Sequence, residues 1–338
     1  MDSFNTKPKT GDFLSPKPQV VLKASVIVSL VVVLGALIFL YHLFIGPANF
    51  SVPVNERLGG VLVEVRPGMG AKQVAYLLKD SGVISSVSLF SAAVSIFGDS
   101  KKIVAGYYLF KDPVGVLEAE NRIRSGEFGL EQIKLTFPEG FTVRQVGERV
   151  AAASPLFNID VFMKLASTSE GYLFPDTYFF LPTDSEAAVI DRMKKTFVDK
   201  TAKLFASSTE SKSDVVKMAS VIEKEVQDPK DMKIVSGILW KRIEIGMALQ
   251  VDATLAYERG LASHELSIDD LEEDSPYNSY TNRGLPPTPI DNPGLNAIVA
   301  ALNPEKSPYL YFLTDSEGKV YYARTFEEHK ENKAKYLR

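Results

Sequence analysis

The sequence predicts an α+β protein with one long apolar helix near its N-terminus. Three observations support this class. An apolar run covers Ala24–Ile45, a strand–glycine–helix pattern occurs twice between residues 63 and 150, and the C-terminal half combines helical stretches with a short hairpin. The chain has 338 residues, of which 45% are hydrophobic and 24% charged, so its content is that of an ordinary globular protein. At ~100–200 residues per domain, about two domains are expected.

The composition excludes several kinds of chemistry. The chain has 38 basic and 42 acidic residues, which gives a net charge of −4. Nucleic-acid binders are usually basic, so this charge argues against that class of protein. It has no cysteine, which excludes disulfides, thiol catalysis and thiolate metal sites. Its three histidines, His42, His264 and His329, lie far apart in sequence, so a histidine metal site or triad is poorly supported. We therefore expect no metal and no organic cofactor.

The run Ala24–Ile45 predicts a transmembrane helix, because ~20 residues of helix cross a bilayer core. The preceding segment has more basic than acidic residues, which places the N-terminus in the cytoplasm and the rest of the chain outside. Its basic residues are Lys7, Lys9, Lys17 and Lys23. A buried core helix and a cleaved signal peptide are the alternatives, but the run exceeds the ~7–15 apolar residues of a signal peptide. We expect an uncleaved anchor in the cytoplasmic membrane.

The expected order is a disordered tail over 1–23, the membrane span over 24–45 and a linker over 46–60. Beyond the linker, VEVRPGMGAKQVAYLL (63–78) aligns with LTFPEGFTVRQVGERV (135–150). Each copy predicts a strand, a glycine turn and a helix. Small β/α units of this kind often bind carbohydrate or peptide, and a simple spacer between membrane and catalytic region is an equally good interpretation.

Glu223 is the most informative carboxylate. On a helical wheel of the segment SDVVKMASVIEKEV, Glu223 falls inside an apolar stripe formed by residues such as Val216 and Ala219. Burial there would favour the protonated form and raise the pKa of the carboxyl group, as a general acid requires. Glu225 lies on the opposite margin of the stripe, so the helical wheel favours Glu223 over Glu225 as the buried acid only modestly. The alternative is a boundary glutamate paired with a lysine.

Two further segments carry polar groups that could converge with this acid. Gln250, Asp252 and Thr254 offer an amide, a carboxylate and a hydroxyl at alternate positions. The segment Tyr277–Tyr280 offers two phenols and the amide of Asn278 within a long loop, Ser275–Pro293. Aromatic faces with amides and hydroxyls suit a sugar groove, and core tyrosines with hydrogen-bonded hydroxyls are the alternative.

At these residues the sequence resembles the YceG-like family, the endolytic murein transglycosylases. The resemblance covers about Val61–Arg338 and rests on several motifs in one order. The matching segments are EGYLFPDTY (170–178), ASVIEKEV (219–226), RIEIGMALQVDATLAY (242–257), SPYNSYTNRGLPPTPIDNPGLNAIVAALNP (275–304), YLYF (309–312) and TFEEHKENKAKY (325–336). Val251, Ala253 and Val320 depart from the usual family pattern.

The resemblance implies a small LysM-like β/α subdomain over 61–135 and a mixed α+β catalytic domain over 136–338. It also implies that Glu223 is the catalytic acid. The residues implied or expected to bind the glycan are Glu170, Tyr172, Gln250, Asp252, Thr254, Tyr277, Asn278 and Tyr280. Peptidoglycan strands and the membrane are the expected partners, with peptidoglycan synthases beside them.

The implied reaction is lytic cleavage of the β-1,4 bond between N-acetylmuramic acid and N-acetylglucosamine. Glu223 would protonate the bridging oxygen, and the sugar's own C6 hydroxyl would attack C1 to give a 1,6-anhydro end. Because the nucleophile is intramolecular, the second carboxylate of ordinary glycosidases is not needed. A muramidase-type hydrolase and a non-catalytic glycan-binding scaffold are the competing hypotheses.

Overall fold

The computed structural model describes residues 18–44, 50–56, 58–97, 103–262 and 265–337. The chain divides into two compact units, residues 1–130 and 131–338. The predicted boundary at 135/136 falls within a strand, Ile133–Thr136, whose partner is Thr177–Phe180. Because hydrogen bonding joins these two strands, the earlier of them belongs to the second unit.

The first unit begins with helix α1 (Pro18–Phe44), which contains the predicted helix over 24–44, while Ile45 lies outside the described residues. Residues 18–23 of the predicted disordered tail are helical, and residues 1–17 lie outside the described part. No helix among the described residues is both long and apolar enough to cross a membrane. The predicted span therefore stays a prediction.

The remainder of the first unit has the order β1 (Val61–Val65), α2 (Ala71–Asp80), α3 (Val87–Phe97), β2 (Gly106–Phe110) and α4 (Val116–Ser125). Strands β1 and β2 pair antiparallel, with Val63 opposite Tyr108. The core between this two-stranded sheet and the helices is apolar and fully buried around Leu78 and Phe90. The repeated pattern predicted β1 and α2, and the structure confirms both.

The second unit has two antiparallel sheets of two strands each among its described residues, with helices around them. Its strands are β3 (Ile133–Thr136), β4 (Thr177–Phe180), β5 (Tyr311–Thr314) and β6 (Val320–Ala323). Its helices are α5 (Val143–Ala153), α6 (Ile159–Leu165), α7 (Glu186–Ala206), α8 (Lys212–Glu225), α9 (Pro229–Glu244), α10 (Asp252–Arg259), α11 (Ile268–Glu272), α12 (Leu295–Leu302) and α13 (Phe326–Tyr336).

Both copies of the repeated pattern adopt the predicted conformation. Gly68 and Gly140 have φ angles of 84° and 77°, in the left-handed region that glycine enters without steric cost. Gln73 and Gln145 occupy the same position in the first turn of α2 and α5, where each side chain accepts a hydrogen bond from a backbone N–H before the helix. The aligned glutamines therefore stabilise equivalent helix starts.

Helix α8 is the centre of the second unit. Its residues between Val215 and Ile222 are buried, apart from Lys217, and pack against α9, α10 and α12. On α9, Gly237 lies against the segment after α12, because an added Cβ there would meet the Glu305 carbonyl oxygen. Helix α8 is thus the buried base for the residues at its C-terminal end.

Candidate functional site

Asn292 joins three chain segments at the C-terminal end of α8. Its side-chain oxygen accepts from the Leu173 N–H at 2.8 Å, and its side-chain nitrogen donates to the Phe141 carbonyl at 2.9 Å and to Glu170 Oε1 at 3.1 Å. Its backbone pairs with Phe141 and accepts from the Gly140 N–H. Since Asn292 is buried, these bonds hold the segments around residues 140, 172 and 292 in fixed positions.

Glu223 lies in the last turn of α8, partly buried as the wheel predicts. Its Oε2 accepts a 2.9 Å hydrogen bond from the Gly294 N–H, which lies at the N-terminal end of α12. Burial raises the pKa of Glu223 to about 7. The Gly294 N–H and the Lys224 charge oppose this rise in pKa, and the Glu139 charge adds to it. The predicted direction of the pKa shift is therefore confirmed.

Lys224 lies beside Glu223 and against a buried carboxyl group. Its Nζ donates to the Gly140 carbonyl at 2.7 Å and lies 3.8 Å from Asp291 Oδ2. Asp291 is fully buried, and neither of its carboxyl oxygens has a hydrogen-bond partner among the described residues. Burial raises the pKa of Asp291 well above its usual range, against the opposing effect of the Lys224 charge.

Gly140 lies close to Glu223, Lys224 and Asp291. A Cβ built on it would lie 3.6 Å from each of Asp291 Oδ2, Glu223 Cγ and Lys224 Nζ. The repeated glycine of the sequence pattern therefore has a second role here, because its backbone approaches the end of α8 closely.

Glu170 is held by three donors. Its carboxylate accepts from the Val143 N–H at 2.9 Å, from the Tyr257 hydroxyl at 3.1 Å and from the Asn292 amide. Burial raises the pKa of Glu170 to about 7, while the Val143 N–H, the Tyr257 hydroxyl, the Lys224 charge and the Asn292 amide all oppose the rise.

Glu170, Lys224, Tyr257 and Tyr277 line a cleft of about 1090 Å³ in the second unit. The Tyr257 and Tyr277 rings lie 5.8 Å apart, and the Tyr277 hydroxyl shares a 2.8 Å hydrogen bond with Thr288. The other walls come from α5 and α10 with the segment that follows it. The structure thus places two predicted binding residues, Glu170 and Tyr277, in one cleft.

A different group forms around Glu225. The Tyr280 hydroxyl donates to Asp252 Oδ1 at 2.6 Å, and the charges of both Asp252 and Glu225 raise the pKa of Tyr280, after the larger effect of burial. Burial also raises the pKa of Glu225 to about 7, with Asp252 adding to the rise and Arg242 opposing it. Arg242 is itself buried and donates to the Leu310 and Leu249 carbonyls.

The predicted binding residues therefore fall into two separate groups. Asp252 and Tyr280 lie with Glu225, whereas the charged groups that act on Glu223 are Glu139 and Lys224. Gln250 is exposed beside Asp252, with a φ of 52° that is unusual for a residue other than glycine. This conformation marks a functional or strained position.

Three other predicted binding residues have structural contacts. Thr254 is buried and donates to the Val251 carbonyl, at the start of α10. Asn278 is buried and donates to the Leu271 and Glu273 carbonyls, which shapes its own loop. Tyr172 packs edge-on against Phe197, with ring centroids 5.2 Å apart.

Sequence reasoning missed Arg242, Tyr257, Asp291 and Asn292 as members of these groups. Two of them lie in the segment PIDNPG of the long loop, whose polar residues in an otherwise apolar and proline-rich stretch were an available signal. Nothing local identified Arg242 or Tyr257. Within the described residues, no group of three or more histidine, aspartate or glutamate side chains is arranged to hold a metal ion.

The fold and the site define a class: an α+β protein with several partly buried carboxyl groups of raised pKa beside a polar cleft. The sequence profile of the YceG-like family matches residues 63–335, and the chain belongs to this family. Over 309 residues it is 30% identical to the endolytic murein transglycosylase of Bacillus subtilis, an alignment that covers 82% of this chain and 85% of that protein.

A second relative is the endolytic murein transglycosylase of Streptococcus pneumoniae, which is 29% identical over 325 residues. The alignment covers 82% of this chain but 58% of that longer protein. Among solved structures, a YceG-like protein from Listeria monocytogenes matches with a TM-score of 0.53 and 32% identity, covering 80% of this chain and 98% of that one.

Proposed function

We propose that the protein is an endolytic murein transglycosylase, which cleaves peptidoglycan strands internally and leaves 1,6-anhydro-muramic ends. The names of the Bacillus and Streptococcus relatives support this activity, as does membership of the YceG-like family. The observation that carries the proposal is the end of α8, where Glu223 and Glu225 both have pKa values raised to about 7. A carboxyl group with such a pKa keeps its proton near neutral pH and can donate it.

Glu223 and Glu225 are alternative proton donors, and their contacts differ. Glu223 is the donor that the motif predicts, but its carboxylate accepts a hydrogen bond from Gly294 at the N-terminus of α12, which favours its charged form. Glu225 lies with Asp252 and Tyr280, which were expected to act with the acid. We therefore assign proton donation to Glu225. The role of Glu223 is structural, because its hydrogen bond to Gly294 connects α8 to α12.

The chemistry needs one carboxyl group. Protonated Glu225 gives its proton to the oxygen between the two sugars, and the bond from that oxygen to C1 of the muramic residue breaks. The resulting carboxylate takes the proton from the C6 hydroxyl, whose oxygen forms the new bond to C1. Water is neither consumed nor released, and the Asp252 carboxylate stabilises the positive charge that builds at C1.

A pair of substitutions tests both the reaction and the donor. Full-length Glu225→Gln and Glu223→Gln proteins would be incubated with uncross-linked peptidoglycan strands, and the products analysed by mass spectrometry. The native chain should release fragments one water lighter than reducing ends. Glu225→Gln should lose this activity by about 10²-fold or more, as expected when a general acid is removed. Glu223→Gln should lose less, in parallel with its loss of stability.

Other results lead to other conclusions. Loss of activity in Glu223→Gln alone would return the donor to Glu223. Products with reducing ends would support a muramidase-type hydrolase instead. Absence of cleavage by the folded native chain would support the glycan-binding scaffold.

The finer organisation is part of the same proposal. Strands β1 and β2 with the two helices between them form a small β/α unit, which supports the LysM-like subdomain that the family resemblance implies. The apolar sequence over 24–45, with exposed apolar side chains such as Val32 and Leu34 on α1, supports a single-pass anchor with a cytoplasmic N-terminus.

An anchored, extracytoplasmic enzyme reaches strands near the membrane, where new glycan emerges. We therefore place it beside peptidoglycan synthases, where it terminates the elongation of nascent strands. The test is complementation in cells, in which a soluble form lacking residues 1–45 should fail to replace the anchored protein.

A further inference from the structure

The Glu170 cleft is distinct from the group around Glu225. The residues that line it include Glu170, Lys224 and Tyr257, but not Glu225, Asp252 or Tyr280. Helix α10 borders both, because Ala253, Ala256 and Tyr257 line the cleft while Asp252, at the start of the helix, bonds to Tyr280. When the glycan is bound at Glu225, this cleft is therefore free to bind another part of the substrate.

The cleft is lined by side chains of both charges. Helix α5 contributes Arg144 and Glu148, and α10 contributes Glu258 and Arg259. Glu170 and Lys224 also line the cleft. Such a surface suits a ligand with both carboxylates and an ammonium group better than a neutral sugar chain.

Arg144 is the cation most accessible to a ligand. It is exposed and makes no ion pair within the described part of the chain. By contrast, Arg259 pairs with Asp270 and Glu273, and Lys224 lies against Asp291. A planar guanidinium can bind a carboxylate through two parallel hydrogen bonds.

The size of the cleft agrees with a short peptide. Its volume of about 1090 Å³ lies just above the ~300–1,000 Å³ that pockets for drug-sized ligands have. The Tyr257 and Tyr277 rings provide apolar surface, and their hydroxyls are held by Glu170 and Thr288. The site is therefore largely formed before a ligand arrives.

We propose that this cleft binds the stem peptide of uncross-linked peptidoglycan, with Arg144 contacting a carboxylate of the peptide. The inference rests on the proposed function, since a peptidoglycan strand carries such peptides on its muramic residues. The stem peptide has free carboxylates and, before cross-linking, a free amine, which matches the mixed charge of the walls. The cleft would then select new, peptide-bearing strands over strands from which peptides have been removed.

The first experiment compares two substrates with the full-length protein. Uncross-linked strands and the same strands stripped of peptides by an amidase would be cleaved, and kcat/KM measured for each. The native protein should prefer the peptide-bearing strands by about tenfold or more, the value of one good charged contact. Arg144→Ala should reduce this preference to about twofold or less.

Lys164→Ala is the matched control. Lys164 is also an exposed cation, and it follows Met163, which lines the cleft, but Lys164 itself does not. The preference of this variant should equal that of the native protein. Equal rates of the native protein on both substrates, or an unchanged preference in Arg144→Ala, would overturn the proposal.

The second experiment measures binding without catalysis. A synthetic stem tetrapeptide would be titrated into full-length Glu225→Gln, with and without Arg144→Ala, and followed by calorimetry. We expect binding that weakens about tenfold when Arg144 is removed. Undetectable binding would overturn the peptide site even if cleavage by the native protein is intact. Specific binding without any cleavage would leave the cleft in place and contradict only the proposed reaction.

Discussion

The Tyr280 hydroxyl donates a 2.6 Å hydrogen bond to Asp252 Oδ1, and this pair borders Glu225. The bond connects the long loop to the start of α10, so two segments predicted to act together do meet. They meet at Glu225 and not at Glu223. The electrostatic consequence is that the Asp252 charge helps to keep Glu225 protonated.

Asp252→Asn should therefore shift the pH dependence of cleavage. Only the protonated acid is active, so activity falls as pH rises through the pKa of Glu225, which is about 7. Removal of the neighbouring negative charge lowers that pKa, and the alkaline limb of kcat against pH should move to lower pH by roughly one unit. Initial rates between pH 5 and 9 measure the shift.

Tyr280→Phe is the control for this prediction. It removes the hydrogen bond but leaves the Asp252 charge in place, so kcat should fall while the alkaline limb does not move to lower pH. An alkaline limb that stays in place in Asp252→Asn would show that Glu225 is not the group being titrated.

Gly171→Ala should destabilise the second unit more than Gly284→Ala does. The two glycines have φ angles of 87° and 88°, so each substitution introduces similar backbone strain of about 1–2 kcal/mol. A Cβ at Gly171 would also meet Pro289 and Val216 at 2.6 Å, whereas a Cβ at Gly284 meets nothing within 4 Å. Overpacking of this kind costs a further ~1–3 kcal/mol.

Trp240 provides the measurement. It is the single tryptophan of the chain and lies in the second unit, where its indole N–H donates to the Ala301 carbonyl. Its fluorescence during chemical denaturation therefore reports the free energy of unfolding of that unit. Equal losses of stability in the two variants would mean that Gly171 is not packed as described.

Glu170 should make stability depend on pH. Its pKa rises from 4.5 to about 7 on folding, so the folded state binds the proton more strongly than the unfolded chain does. The contribution of protonated Glu170 to the free energy of unfolding is complete below pH 4.5 and is lost as pH rises to about 7. Between these values, the free energy of unfolding should fall less steeply in Glu170→Gln than in the native protein.

Part of that pH dependence should survive the substitution. Glu223, Glu225 and Asp291 also have raised pKa values and contribute with the same sign. Denaturation curves at several pH values, followed by Trp240 fluorescence, measure the difference in slope. An identical slope in both proteins would show that Glu170 titrates at its ordinary pKa in the folded state.

Much of the fold could be predicted from local patterns. The repeated strand–glycine–helix pattern identified β1 with α2 and β3 with α5, because a glycine turn and a helix start are set by neighbouring residues. Strand β4 and helices α6, α10, α11 and α12 were not assigned. Helix α12 has eight residues and begins directly after Pro293-Gly294, so it offers little periodicity to detect.

The candidate site could be predicted only in part, for a related reason. The helical wheel indicated that Glu223 would be buried and its pKa raised, since both follow from the α8 sequence alone. The partners of Glu223 and Glu225 depend on contacts across the fold, such as Gly294 to Glu223 over 71 residues. A wheel of one helix cannot show which of two flanking glutamates meets Asp252.

The apolar segment offers a last test of where the protein acts. If residues 24–45 span the membrane, the full-length protein should remain in the membrane fraction after carbonate extraction, and a form lacking residues 1–45 should be released.

Leu34→Arg places a charge near the centre of the run, at a side chain that is 58% exposed on α1. Such a charge costs about 2.5–3.5 kcal/mol on insertion and should reduce the membrane-bound fraction. Leu34→Ile keeps the segment apolar and should behave as the native protein does. Release of the full-length native chain by carbonate would contradict the anchor, and with it the restriction of the enzyme to strands beside the membrane.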